Sequence, residues 1–181
     1  MKSFIRSIGI VFLTCLLQVL IFRYGIFAGG WVVTCFHIYG LILLPTELSK
    51  TSCLMIGALV GASIDVVLLT GGLHMSAGIV TCFMTPWLTT FIAPREGFIR
   101  EHSISVLHDG WGRFLALSSL ISFVYMFTLF AVEGWKWSLL PSAIGKGIAS
   151  TTMNVILFAI FQGLFGPKPK SKSHTTSTYH W

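Results

Sequence analysis

Charge is what this 181-residue chain lacks most: 10% of it is Asp, Glu, Lys or Arg, against about 25% in a soluble globular domain. Only six residues are acidic. So little charge alongside 54% hydrophobic residues excludes general disorder, which needs low hydrophobicity and high net charge. Four cysteines, Cys15, Cys35, Cys53 and Cys82, are too few and too evenly scattered for a disulfide-stapled scaffold. All four fall in apolar runs without metal-like spacing and read as small buried hydrophobes. Phosphate-binding GxxxxGK[ST], HExxH, CxxC and GxSxG signatures are all absent from the sequence, which removes the sequence basis for a P-loop, zinc or serine-hydrolase centre. No cofactor, metal or catalytic residue is expected, and nothing suggests nucleic-acid binding.

What is abundant is apolar length. A helix crosses the bilayer core in roughly 20 apolar residues, with 17 to 25 tolerated. Six stretches approach that: 7–22, 27–44, 51–70, 74–92, 114–132 and 139–165. Pro45, Gly71-Gly72, Pro94 and Gly166-Pro167 punctuate their ends. Trp31, Trp87, Trp111, Trp135 and Trp137 lie near those ends, where indole rings favour the headgroup level. No ten-residue alternation of apolar and polar positions points to a β-barrel. The expectation is an all-α integral membrane protein, one domain over 1–165 with six transmembrane helices in a compact bundle.

The basic residues then orient it. With six spans, Lys2, Arg6, Lys50, Arg95, Arg100, Arg113, Lys168, Lys170 and Lys172 share one side, and Arg23 and Lys136 face the other. Under the positive-inside rule both termini are expected in the cytoplasm. Lys2 and Arg6 before an apolar run also resemble a signal peptide, but Ile26-Phe27-Ala28 is a poor cleavage site. Residues 166–181 (GPKPKSKSHTTSTYHW) read as a basic, disordered tail, and its lysines add attraction to anionic lipid of roughly 1 kcal/mol each. The loop 94–112, with His102, His108 and Asp109, fits no structural zinc spacing.

Ionisable groups inside the membrane are costly, about 2.5–3.5 kcal/mol at the centre. Asp65 in the third span and Lys146 in the sixth stand out, at matching depths that predict an ion pair locking two helices. Joined to His37, the same two residues outline the rival reading, a proton-coupled carrier or small membrane enzyme. Gln18, Asn154 and Gln162 read as inter-helix hydrogen-bond glue of around 0.6 kcal/mol each. Gly57 and Gly61 form a GxxxG packing motif continued by Asp65, and Ala143, Gly147 and Thr151 form a similar small-residue face on the sixth span.

Leu44-Pro45, Gly57-x3-Gly61-x3-Asp65, Gly72-Leu73-His74, Pro86 and Ala93-Pro94-Arg95-Glu96 together resemble the rod shape-determining MreD family, in its Bacteroidetes-like form, over about residues 4–165. The resemblance implies a non-enzymatic, multi-pass component of the bacterial inner membrane within the cell-elongation machinery for peptidoglycan. It implies MreC as partner, with indirect links to MreB, RodA and the elongation penicillin-binding transpeptidase, and a fold similar to the S components of ECF vitamin transporters. By position it marks Asp65, Gly72, His74, Pro86, Pro94 and Arg95 as sensitive residues, none of them catalytic. The alternative is a vitamin-binding S component itself. Against it, the first span (IGIVFLTCLLQVLIF) lacks the AxxxA patch of such proteins, and the outer loops are short.

Overall fold

A computed structural model describes residues 2–45, 48–92 and 106–166. Six helices dominate it: α1 (Lys2–Leu20), the short α2 (His37–Ile42), α3 (Lys50–Leu68), α4 (Leu73–Ile92), α5 (Val106–Gly134) and α6 (Leu140–Phe165). Four segments are long and apolar enough to cross a membrane: Lys50–Leu68, Leu73–Ile92, Gly110–Gly134 and Trp137–Phe165. The apolar part of α1, Ser7–Leu20, is shorter. The protein therefore has the makings of a multi-pass membrane protein. Pro94, Arg95, most of the 94–112 loop and the tail beyond Gly166 lie outside the described residues.

The second expected span corrects the sequence reading, because residues 27–44 do not form one helix. Two short strands, β1 (Ile26–Phe27) and β2 (Val32–Val33), pair antiparallel with Ile26 opposite Val33 and Phe27 opposite Val32. Their connection carries three successive positive φ angles, Ala28 (51°), Gly29 (64°) and Gly30 (90°), a conformation that two glycines make accessible. The chain then runs back along α1: Thr34 meets Gln18, Gly40 abuts Thr14 and Val11, and Leu43 meets Ser7. Residues 34–44 are buried throughout. Phe36 stacks on Phe22 at 5.2 Å and on Tyr39 at 5.6 Å, and packs against Phe158 and Phe161 of α6. This segment has no solvent-facing side because protein surrounds it on every side.

The α3–α4 hairpin is the tightest contact. A Cβ on Gly57 would lie 2.6 Å from both the Gly78 carbonyl oxygen and Cys82 Sγ, and one on Gly61 would overlap the His74 carbonyl and Met75 Cα. The GxxxG motif thus packs against α4, with Gly78 returning the contact on the Gly57 carbonyl. It does not pack against the small face of α6, where a Cβ on Gly147 would instead meet the Phe127 backbone of α5 at 3.5 Å. Pro86 sits inside α4, where it cannot bond the Cys82 carbonyl; Thr89 and Thr90 donate to the Pro86 carbonyl at 3.0 and 2.7 Å. Membrane helices tolerate such a break where the protein re-satisfies the freed backbone; the two threonine bonds reinforce the Pro86 carbonyl and do not reach that of Cys82.

Because backbone, not a flexible side chain, occupies the space a larger residue would need, Gly61→Leu is expected to separate α3 from α4. The cost should reach or exceed the usual overpacking range of about 1–3 kcal/mol. Thermal unfolding in detergent checks it: Gly9→Leu, whose Cβ meets nothing within 4 Å, should leave the melting temperature near wild type while Gly61→Leu lowers it clearly.

Candidate functional site

The polar groups inside the bundle fall into two sets, one serving backbone and one made of side chains facing each other. Gln18 on α1 and Asn154 on α6 belong to the first. Gln18 accepts from the Phe36 N–H at 2.5 Å and donates to the Thr34 and Phe22 carbonyls at 3.1 and 3.3 Å. Asn154 accepts from the Cys35 N–H at 2.8 Å and donates to the Val33 and Ser150 carbonyls at 3.1 and 2.9 Å. Ser150 accepts from the Val33 N–H at 3.0 Å. The irregular stretch 33–36 is thereby supplied with the partners that a helix would have given it internally. Gln162 does act between side chains, accepting from the Tyr39 hydroxyl at 2.6 Å.

Asp65 also serves backbone. It lies in the last turn of α3, buried at 7% exposure, and the chain leaves that helix through Leu69 in the left-handed conformation (φ 57°) and the Gly71-Gly72 turn (φ 62° and 96°). Glycine at position 72, just before α4, has no side chain to cap the new helix. Asp65 does so from across the turn: its two carboxylate oxygens accept the His74 and Met75 N–H groups at 3.0 and 2.8 Å, and Thr70 Oγ1 donates at 2.5 Å. A carboxylate at a helix N-terminus is favoured by both the orphan N–H groups and the helix dipole.

The expected Asp65–Lys146 ion pair is therefore absent, and the expectation is corrected. Asp65 is committed to α4 and Thr70, while Lys146 Nζ lies 5.5 Å from the Phe130 ring centroid. Matching depth in two spans does not place their side chains on facing surfaces; the packing of α3 on α4 and of α6 on α5 keeps the two apart.

Besides the Tyr39–Gln162 pair, the second set holds a three-residue chain at the centre. Tyr125 of α5, fully buried, holds its hydroxyl 2.7 Å from His37 Nε2 and 3.0 Å from His74 Nδ1. The two imidazoles sit edge to face at 5.6 Å. A phenol has one proton to give, so with both imidazoles bonded to it, at least one ring must donate. His37 Nδ1 has no hydrogen-bond partner among the described residues, and neither do the buried hydroxyls of Thr81, Ser118 and Ser122. Ser118, Ser122 and Tyr125 recur at helical spacing on α5, and Thr81 lies two turns along α4 from His74. Chemically, the cluster can exchange a proton between two imidazoles through one phenol. It is not a nucleophile–base–acid triad, since Asp65 bonds the backbone of His74 and not its ring.

Of the residues marked from the sequence, Asp65, His74 and Gly61 come together near the α3–α4 turn, with Gly72 in the turn itself and Gly57 farther along the hairpin against Gly78. Pro86 and Lys146 stand apart from them. His37 was legible as a mid-membrane ionisable residue. Tyr125 was missed: a tyrosine in an apolar run is indistinguishable from core until its neighbours are known. Among the described residues no group of three or more His, Cys, Asp or Glu is placed to hold a metal ion. No family model, curated protein or solved structure matches the chain.

Three measurements follow from the geometry. Asp65→Ala removes a charged acceptor from three donors, so it should destabilise by at least about 2 kcal/mol, since hydrogen bonds to charged groups contribute about 1.5–3 each. In a double-mutant cycle with Lys146→Ala, the coupling should fall within about 0.5 kcal/mol of zero, as for sites that share no partner. Tyr125→Phe leaves two imidazole nitrogens without their partner and should cost about 1–3 kcal/mol, read as a lower melting temperature with unchanged helical content.

Proposed function

We propose that this chain is a non-enzymatic, multi-pass component of the bacterial inner membrane that organises peptidoglycan synthesis for cell elongation, in the manner of MreD, by contacting an MreC-type scaffold. The observation that carries the reading is how the membrane-embedded polar groups are used. Asp65, Gln18 and Asn154 are spent on the backbone of neighbouring segments, and the outward faces are aliphatic ridges. On α6, Ile144, Ile148, Ile156, Ile160 and Leu164 are all exposed at four-residue multiples, an i±4 ridge that winds around the helix surface. On α1, Ile8, Phe12, Leu16 and Leu20 repeat the pattern. Such faces suit lipid or another apolar helix.

In this reading the chain passes the membrane six times with both ends in the cytoplasm. The second pass is the stretch 27–44, a broken element whose buried part 34–44 packs against α1, a compact arrangement akin to the S components of ECF transporters. The contact with MreC would connect it indirectly to MreB, RodA and the elongation transpeptidase.

The decisive experiment combines depletion with purification. Loss of the protein should round the cells, and the tagged chain should retain the MreC-type protein through detergent extraction. Rod-shaped cells after depletion, together with a vitamin that raises the melting temperature of the purified chain, would overturn the proposal in favour of the S-component alternative.

A further inference from the structure

At the end of the bundle where α5 gives way to α6, a cavity of about 230 Å³ opens between the two helices. That is well above the roughly 10–15 Å³ that admits a single water. Its walls carry one cation and one anion, Lys146 and Glu133, together with Ser142, Phe130, Leu139 and Ala143.

The two charges lie at different depths. Lys146 is six residues into α6, which starts at Leu140, so its Cα lies about 9 Å along the helix axis from that end at 1.5 Å per residue. Its ammonium lies over the Phe130 ring, 5.5 Å from the centroid. Glu133 lies one turn beyond Phe130, next to the last residue of α5, on the same face by the three-residue spacing, and it is exposed. The anion is therefore nearer the aqueous end and the cation nearer the hydrocarbon. Trp135 and Trp137, 83% and 89% exposed, lie in the connection between the lining residues Gly134 and Leu139, as residues that favour the headgroup level.

A charge inside lipid is costly, and among the described residues no carboxylate lies within ion-pair range of Lys146. A phosphate there would supply the missing counter-charge, but Glu133 at the mouth repels a purely anionic ligand. In a glycerophospholipid with a primary amine, the phosphate lies nearer the acyl chains and the ammonium farther out. That order matches Lys146 below and Glu133 above. We infer that the α5–α6 cavity binds the headgroup of a zwitterionic amine phospholipid, with Lys146 and Ser142 on the phosphate and Glu133 on the ammonium.

This assignment does not use the assembly reading: a chain that fails to retain an MreC-type protein still holds the lipid. It is tested on the full chain in detergent by native mass spectrometry, with equimolar dioleoyl-phosphatidylethanolamine and dioleoyl-phosphatidylglycerol. The wild type should retain the amine lipid about tenfold over the glycerol lipid, one decade in affinity. Lys146→Met should lower retention of the amine lipid by a similar factor while Lys146→Arg keeps it, and Glu133→Gln, an exposed change, should erase the preference between the two lipids. Equal retention of both lipids by the wild type would overturn the inference, as would a preference that survives Glu133→Gln. Soluble phosphoethanolamine separates the sources of the chemistry: its retention without any lipid retention would defeat the lipid assignment.

Discussion

Inside a bilayer every backbone N–H and C=O must find a partner within the protein, because water is not there to supply one. The rest of this structure depends on how that demand is met where helices stop. Residues 33–36 lack the internal ladder of a helix, yet Gln18, Asn154 and Ser150 bond their amides and carbonyls from two flanking helices. A side-chain amide suits this task because it offers donor and acceptor together. The consequence is a central segment that is irregular, buried from Thr34 onward and held from both sides.

The α3–α4 turn answers the same demand differently. Leu69 ends α3 in the left-handed conformation and Gly71-Gly72 reverse the chain, so α4 begins without a capping side chain of its own. Asp65 reaches back across the turn to take the His74 and Met75 amides. The close approach of the two helices makes that reach short, and Gly57, Gly61 and Gly78 make the close approach feasible. Glycine packing and the carboxylate cap thus support one another. His74, fixed by its backbone to Asp65, presents its ring to Tyr125, and through Tyr125 the hairpin is tied to His37 in the central segment.

Much of this was legible beforehand. Apolar length and turn residues marked the four long helices, and spacing marked Gly57 and Gly61 as a close-packing face. The cost of charge in lipid marked Asp65 and Lys146 as the two residues to explain, and Asp65 is the one whose partners the structure shows. Three features were not legible. The run 27–44 has the length and composition of a span, and apolar composition alone does not separate a helix facing lipid from a strand-and-turn segment enclosed by protein. Gly29-Gly30 before the β-branched Val32-Val33-Thr34 was the available local signal for the hairpin. The partner of Asp65 was misassigned because depth along a helix says nothing about azimuth. Tyr125 carried no mark at all.

The sequence by itself determined that the chain is membrane-like, mostly helical and built from close-packed small-residue faces, since these follow from local composition, length and spacing. Tertiary structure decided which surfaces meet: that Asp65 caps α4 and leaves Lys146 to Phe130 and a cavity, that Gln18 and Asn154 serve backbone, and that two histidines converge on one tyrosine. The physical reason is range. Hydropathy and propensity act within a few residues, whereas a hydrogen bond from Cys35 to Asn154, 119 positions apart in the chain, exists only once the helices have packed.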